Sequence, residues 1–268
     1  MTLTTTLPKA WNAFITNKRY VLLTILFEFI FLFVVTQIHL SLFIPAAGAL
    51  DNVGKIISAE MEKLPETEVY QLDTVLRQNP EFTTQYQLLL TYLIFFVLSM
   101  LAAWIIFKSP VWYLSHKTIL KKMPLGTHLL KFTLLSLFWF AIIITALVIY
   151  GAMAENANTL LPSATSIATT IITYLIFLAI FYFAQISFAI IPAQQTFKNT
   201  FNYGIHHTKT ILPAFIVNAL ITFIVLTLPF NWIETQPLIS LAIIVIITIP
   251  ALAFARLHMI VATWSKHS

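Results

Sequence analysis

Apolar residues run along this chain in long unbroken blocks, not in alternation with polar ones. The first block, Tyr20 to Phe43, reads YVLLTILFEFIFLFVVTQIHLSLF and holds one carboxylate, Glu28. About 20 residues at a 1.5 Å rise cross the hydrocarbon of a bilayer, so the block predicts a transmembrane helix. Similar blocks follow at about 86–108, 129–152, 165–191, 211–230 and 237–262. Proline punctuates them: Pro45 is expected to end the first, Lys108-Ser109-Pro110 the second and Pro192 the fourth, while Pro250 predicts a kink in the sixth. A secretory signal has an apolar core of only about 7–15 residues, so the first block reads as an uncleaved anchor.

Between the blocks the periodicity becomes helical and one-sided. In residues 6–17, Leu7, Trp11, Phe14 and Ile15 fall on one helical face, with Thr6 suited to a cap and Pro8 to a first turn. This predicts an amphipathic helix lying in the membrane interface. Residues 46–85 hold seven of the ten acidic residues. Val53, Ile56, Ile57, Met61 and Leu64 repeat at helical spacing, then Val69, Leu72 and Leu76 after Pro65, up to Asn79-Pro80. Two short amphipathic helices forming a small cap on the outer face are expected here. In 193–210, Phe197, Phe201 and Ile205 stand four apart.

The fold class implied by this pattern is all-α: a polytopic integral membrane protein, a single membrane domain over 1–268. Its six transmembrane helices would form three hairpins, with interfacial amphipathic helices and the outer helical cap. Composition agrees, with 59% hydrophobic and 9% charged residues, against roughly 25% charged in soluble domains. The absence of cysteine excludes disulfides, thiolate catalysis and cysteine-bound metals. Five glycines and no GxxxG pattern argue against close glycine-mediated helix crossings. The net charge of +5 matches the basic excess of cytoplasmic loops and does not require nucleic acid. Lys9, Lys18, Arg19, Lys108, Lys117, Lys121, Lys122, Lys131, Lys198, Lys209, Arg256 and Lys266 fall on one side of a six-span layout with both termini cytoplasmic. The acids other than Glu28 fall on the opposite side.

Each pair of spans is preceded by a basic, partly amphipathic segment: AWNAFITNKRY, SHKTILKKMPLGTH and TFKNTFNYGIHHTK. On these segments the layout resembles uncharacterised six-span membrane families of archaea and bacteria. It is similar to the membrane-embedded domain of some glycerophosphodiester phosphodiesterases. The resemblance implies a six-helix bundle. It includes no catalytic motif and carries over no functional residue.

Glu28 is the sharpest chemical signal, roughly 12 Å inside the first span at helical rise. Ionisable groups at that depth are costly and face the bundle interior. Ser99, Ser136, Gln185, Asn218 and Arg256 lie at similar depth in the other spans. Glu28 and Arg256 are natural partners, since each alone would be an unpaired buried charge. Two readings stay open, a working ion, proton or headgroup site and a structural pair that fixes helix order. Lys18, Arg19, Lys117, Lys121, Lys122, His206, His207 and Lys209 read as contacts to anionic lipid headgroups. His116, His128, His258 and His267 are grouped with the same basic inner face. No HExxH, GxSxG or phosphate-binding fingerprint is present. No enzyme activity, metal or cofactor is therefore expected. The first expectation is an accessory membrane subunit or scaffold, docking a membrane or extracytoplasmic partner through the acidic cap. The alternatives are a small-solute or ion transporter and, last, a membrane-embedded enzyme.

Overall fold

A computed structural model of the chain describes residues 3–64, 72–120, 124–160, 164–193, 195–230 and 235–264, leaving aside the side chains of 152–169 and 230. Twelve α-helices succeed one another among the described residues. They are α1 (Leu3–Thr16), α2 (Lys18–Ile38), α3 (Ile44–Lys63), α4 (Leu72–Gln78), α5 (Pro80–Ala103), α6 (Ser109–Ile119), α7 (Leu125–Leu160), α8 (Ala164–Ala189), α9 (Thr196–His206), α10 (Thr208–Phe230), α11 (Pro237–Ile243) and α12 (Ile249–Trp264). Six helical runs are long and apolar enough to cross a membrane: Lys18–Lys63, Pro80–Ile119, Leu125–Gly151, Thr170–Ala189, Thr208–Pro229 and Pro237–Trp264. This is the architecture of a multi-pass membrane protein.

Two of the prolines act differently from expectation. Pro45 and Pro110 do not end their helices, and the sixth helical run continues through Pro250. Each comes after a five-residue π-helical turn, at His39–Phe43, Trp104–Lys108 and Ile244–Thr248 respectively. A proline ring collides with the carbonyl four residues earlier and offers that carbonyl no N–H. Those carbonyls belong to Ser41, Ile106 and Ile246, the central residue of each π turn. The wider π turn admits one extra residue and removes the collision, so the helix continues. The first apolar block is thereby part of an uninterrupted 46-residue run ending at Lys63. The expected first cap helix is the continuation of that run. The second is reduced, among the described residues, to α4, because Pro65, Glu66, Glu68 and Val69 lie outside them. The expected link at 153–164 is helical as far as Leu160.

The chain divides into two compact units, residues 30–104 and the remainder. In the 30–104 unit, α3 and α5 pack lengthwise through Ala46, Ala49 and Leu89, with Tyr92 against them. Alanine at two of these positions lets the backbones approach closely. Asn79 starts α5 as an N-cap: its Oδ1 accepts from the amides of Glu81 at 3.0 Å and Phe82 at 3.1 Å, with Pro80 at the first helical position.

In the larger unit α12 is the hub. Every residue from Ala255 to Thr263 is buried, and α1, α6, α8 and α10 pack around it. A helix buried on all faces belongs to the interior of a bundle. By contrast α7, α8 and α10 present Leu130, Val148, Tyr174, Leu175, Phe181, Leu220 and Phe223 outward. In a bilayer lipid tails solvate such a surface as well as protein does, so outward apolar faces are the normal case.

The first helix shows the same logic with a correction. It begins at Leu3, not Thr6, so Thr6 is an interior residue of α1, buried against α12, and does not cap the helix. Trp11 and Ile15 stay exposed, and Trp11 and Phe14 stack on each other and meet Phe254 edge-on. On α9, Phe197, Phe201 and Ile205 also face outward, while Thr196, Thr200 and Gly204 face the protein. Gly204 is the exception to the expected lack of close glycine crossings. A Cβ there would lie 2.5 Å from the ring of Phe183 on α8, and the Gly204 carbonyl accepts from the Tyr182 hydroxyl at 2.8 Å.

Gly204→Ala tests that crossing. Helix propensity alone favours alanine by about 1 kcal/mol. The clash with Phe183 should outweigh this gain and lower the melting temperature in detergent. Adding Phe183→Leu should restore it. A melting temperature raised by the single change would show that α8 and α9 are not held at this distance.

Candidate functional site

Glu28 is fully buried, and both of its oxygens are engaged by cations within the larger unit. Oε1 accepts from Arg256 Nη2 on α12, and Oε2 accepts from Lys108 Nζ. Glu28 and Arg256 therefore meet, with a third member that the hydropathy pattern hid. Lys108 is expected from the sequence at the inner edge of a span as a topological charge, but it is buried, with 9% of its surface exposed. The cause lies in the helix: Lys108 is the last residue of the π turn that Pro110 imposes. The extra residue rotates α6 relative to its place in an unbroken α-helix.

The cluster closes into a ring. The Arg256 guanidinium lies over Trp112, 5.5 Å from the ring centroid. Trp112 neighbours His116 at 5.9 Å between centroids, and His116 meets His128 edge-on at 5.5 Å. His128 Nε2 donates to the Ser109 carbonyl at 3.1 Å. Ser109 is next to Lys108 in the chain, which returns the path to Glu28. His116 Nε2 donates to the Ala189 carbonyl at 3.0 Å, and Trp264 Nε1 donates to the same oxygen at 2.8 Å. The end of α8 is thus held by α6 and α12 together. Lys131 completes it, donating to the carbonyls of Ile191 at 3.1 Å and Ala193 at 2.7 Å, where a cation suits a helix C-terminus.

Two features of the ring need a chemical account. The first is charge. Two cations surround one carboxylate, and Glu28 is the only carboxylate among the described side chains of this unit. As ionised groups they leave one positive charge in surplus where desolvation is expensive. The second is unmet hydrogen bonding. Ser109 Oγ, His128 Nδ1 and Arg256 Nη1 are buried with no hydrogen-bond partner among the described protein groups.

The expected polar layer extends beyond this ring. Asn218 forms a separate chain: His258 Nδ1 donates to its Oδ1 at 2.8 Å, and Thr6 Oγ donates to His258 Nε2 at 3.0 Å. This chain ties α10, α12 and α1 together. Ser136 is buried on α7, Gln185 is half-buried on α8, and Ser99 belongs to the other compact unit. Ser187, near Gln185 on α8, accepts from Trp139 Nε1 at 2.8 Å.

The histidines require a larger correction. The sequence pattern groups His116, His128 and His258 with the lipid-facing basic patch, but all three are buried at 1% exposure or less. Each finds a polar partner on another segment, which a surface residue does not need. Of the residues expected at headgroups, Lys18, Arg19, His206 and Lys209 are exposed or half-buried, as are Lys117 and His207. Lys121 and Lys122 lie outside the described residues, as does His267.

The count of charges sets the substitution tests. Glu28→Gln leaves two buried cations unbalanced and should lower stability in detergent by about 3–5 kcal/mol. Arg256→Gln leaves a neutral Glu28–Lys108 pair and should cost less. The double change restores the wild-type surplus of one cation and should recover part of the loss seen for Glu28→Gln. Strictly additive losses would show that the two residues do not interact. Separately, Thr6→Val strands the buried His258 Nε2 and should cost about 1–3 kcal/mol, read as a drop in melting temperature. An unchanged value would mean that the Thr6–His258 contact adds nothing to α1 docking.

No protein-family model, curated protein or solved structure matches the chain, so no residue role is carried over from a relative.

Proposed function

We propose that the chain is an accessory or scaffolding subunit of a membrane assembly, without enzymatic activity of its own. In this reading both termini are cytoplasmic, the spans pair as three hairpins, and the acidic segment 46–85 belongs to the outer side. The observation that carries the reading is the packing of α12. Its run from Ala255 to Thr263 is buried on every side, and it holds Arg256 and His258 against three other segments. Such a hub suits a body that keeps one shape and presents surfaces to partners. The docking surface is the segment 46–85, where seven acids face three bases. There Asp51 pairs with Lys55, Glu60 with Lys63 and Asp73 with Arg77 along their own helices. The exposed pairs Asp51–Lys55 and Asp73–Arg77 stabilise little, and Glu62 and Glu81 keep the surface acidic for a basic partner.

A second reading, a permease for small anions, is favoured by the surplus positive charge at Glu28, Lys108 and Arg256. The two readings separate experimentally. In a scaffold, extraction from native membranes in mild detergent should retain a stoichiometric partner. Asp51→Lys with Glu62→Lys should release it while leaving the fold intact. In a permease, reconstituted vesicles should take up an anion, and Arg256→Lys should abolish the uptake. Uptake by the purified chain alone, with no partner retained, would overturn the scaffold reading.

The orientation is tested by single-cysteine labelling, since the chain has no cysteine of its own. Asp51→Cys should react with an impermeant maleimide from outside intact cells, and Lys198→Cys only after permeabilisation. The reverse pattern would invert the proposed topology.

A further inference from the structure

Asn17 joins α1 to α2, and it also ties this junction to the end of α6. Its carbonyl accepts from the amides of Tyr20 at 3.0 Å and Val21 at 3.2 Å, which starts α2. Its Nδ2 donates to the Thr118 carbonyl on α6 at 3.3 Å and to the Ala13 carbonyl on α1 at 3.1 Å. The flanking residues are therefore brought to one corner of the larger unit. Lys18 and Arg19 follow Asn17, and Lys117 precedes Thr118. Tyr20 on α2 lies within electrostatic reach of Lys117. Lys117 Nζ stands 5.2 Å from the centroid of the Tyr113 ring, about one turn back on α6. The sequence pattern spreads the expected headgroup contacts over three segments; the Asn17–Thr118 contact brings two of those segments together.

The corner carries three cations and no counter-charge. Lys18 and Arg19 are exposed, and Lys117 is half-buried. Glu28 is the only carboxylate among the described side chains of this unit, and it is fully buried on Lys108 and Arg256. A counter-anion for the corner therefore has to come from outside those groups. The level of the corner along the helices points to its source. Lys18 opens one membrane-length run, and Lys117 lies just before the end of another, at Ile119. The ends of such runs reach the headgroup level, where lysine, arginine and tyrosine are favoured. Arginine meets a phosphate with two parallel N–H bonds, lysine adds a point charge, and a tyrosine hydroxyl can donate a further bond. A zwitterionic headgroup brings its own cation, whereas an anionic lipid brings uncompensated negative charge.

We propose that the corner where the α1–α2 junction meets the end of α6 is a binding site for the phosphate of an anionic lipid headgroup, held by Lys18, Arg19 and Lys117 with Tyr20 beside them. Asn17 positions the site by holding the two basic segments together. A soluble polyanion fits less well, because its charges would have to enter the headgroup layer to reach the ends of the spans. This inference goes beyond the accessory role and does not depend on it, since retention of a protein partner and retention of a lipid are read separately.

The experiment uses the full chain purified in maltoside detergent. Phosphatidylglycerol, phosphatidylcholine and a single-stranded oligonucleotide are titrated separately, with native mass spectrometry and melting temperature as readouts. A saturable phosphatidylglycerol adduct that weakens as salt is raised is expected, with no adduct of comparable strength from phosphatidylcholine. Combining Lys18→Gln, Arg19→Gln and Lys117→Gln should weaken the adduct about a hundredfold, at roughly fivefold for each cation. The single change Lys117→Gln should cost about fivefold, and it repeats the test if the triple variant is unstable. Lys18→Arg with Lys117→Arg keeps the charge and should retain the lipid. Lys198→Gln with Lys209→Gln, on α9 and α10, should leave the adduct in place. Four results would overturn the proposal: phosphatidylcholine bound as tightly as phosphatidylglycerol, the oligonucleotide bound as tightly, wild-type binding by the glutamine variants, or equal loss in the α9–α10 variant.

Discussion

The larger unit is organised by the burial of one carboxylate. Removing Glu28 from water costs several kcal/mol, and that cost is offset only if cations reach both oxygens with good geometry. Arg256 from the end of the chain and Lys108 from its middle both do so. The ion cluster therefore sets the register of α2, of the π turn before α6, and of α12 against one another. A one-residue slip of any of the three would strand a charge in low dielectric. Apolar packing alone has no such penalty in a bilayer, because a leucine is as well solvated by lipid as by protein.

Proline is the second constraint, and it acts through helix geometry. In water a proline usually marks where a helix stops. In lipid, stopping would expose unsatisfied carbonyls to hydrocarbon, so the helix must continue and re-satisfy them. The turns centred on Ser41, Ile106 and Ile246 do this by widening to π geometry. At Pro110 the same device has a chemical result, since Lys108 closes the widened turn and bonds Glu28. Helix strain and charge placement are one event at that point. Polar side chains then finish the helix ends that proline and turns leave open. Trp264, His116 and Lys131 all donate to carbonyls at the end of α8 or just beyond it.

Much of this was legible in the order of residues alone. Six apolar blocks of bilayer length specify helices, because no other backbone satisfies itself in hydrocarbon except a closed barrel. The outward stripe of Phe197, Phe201 and Ile205 was visible as a four-residue period. Glu28 and Arg256 stood out because charge at membrane depth is expensive wherever it occurs. What the sequence could not determine was which groups share a neighbourhood. Lys108 looked like an interfacial lysine because hydropathy counts residues along the chain, and a π turn changes direction without changing the count. His116, His128 and His258 looked like surface bases for a similar reason. A histidine near a span end is solvated or buried according to whether another helix brings it a carbonyl, an amide or a hydroxyl, and only the tertiary structure supplies those partners.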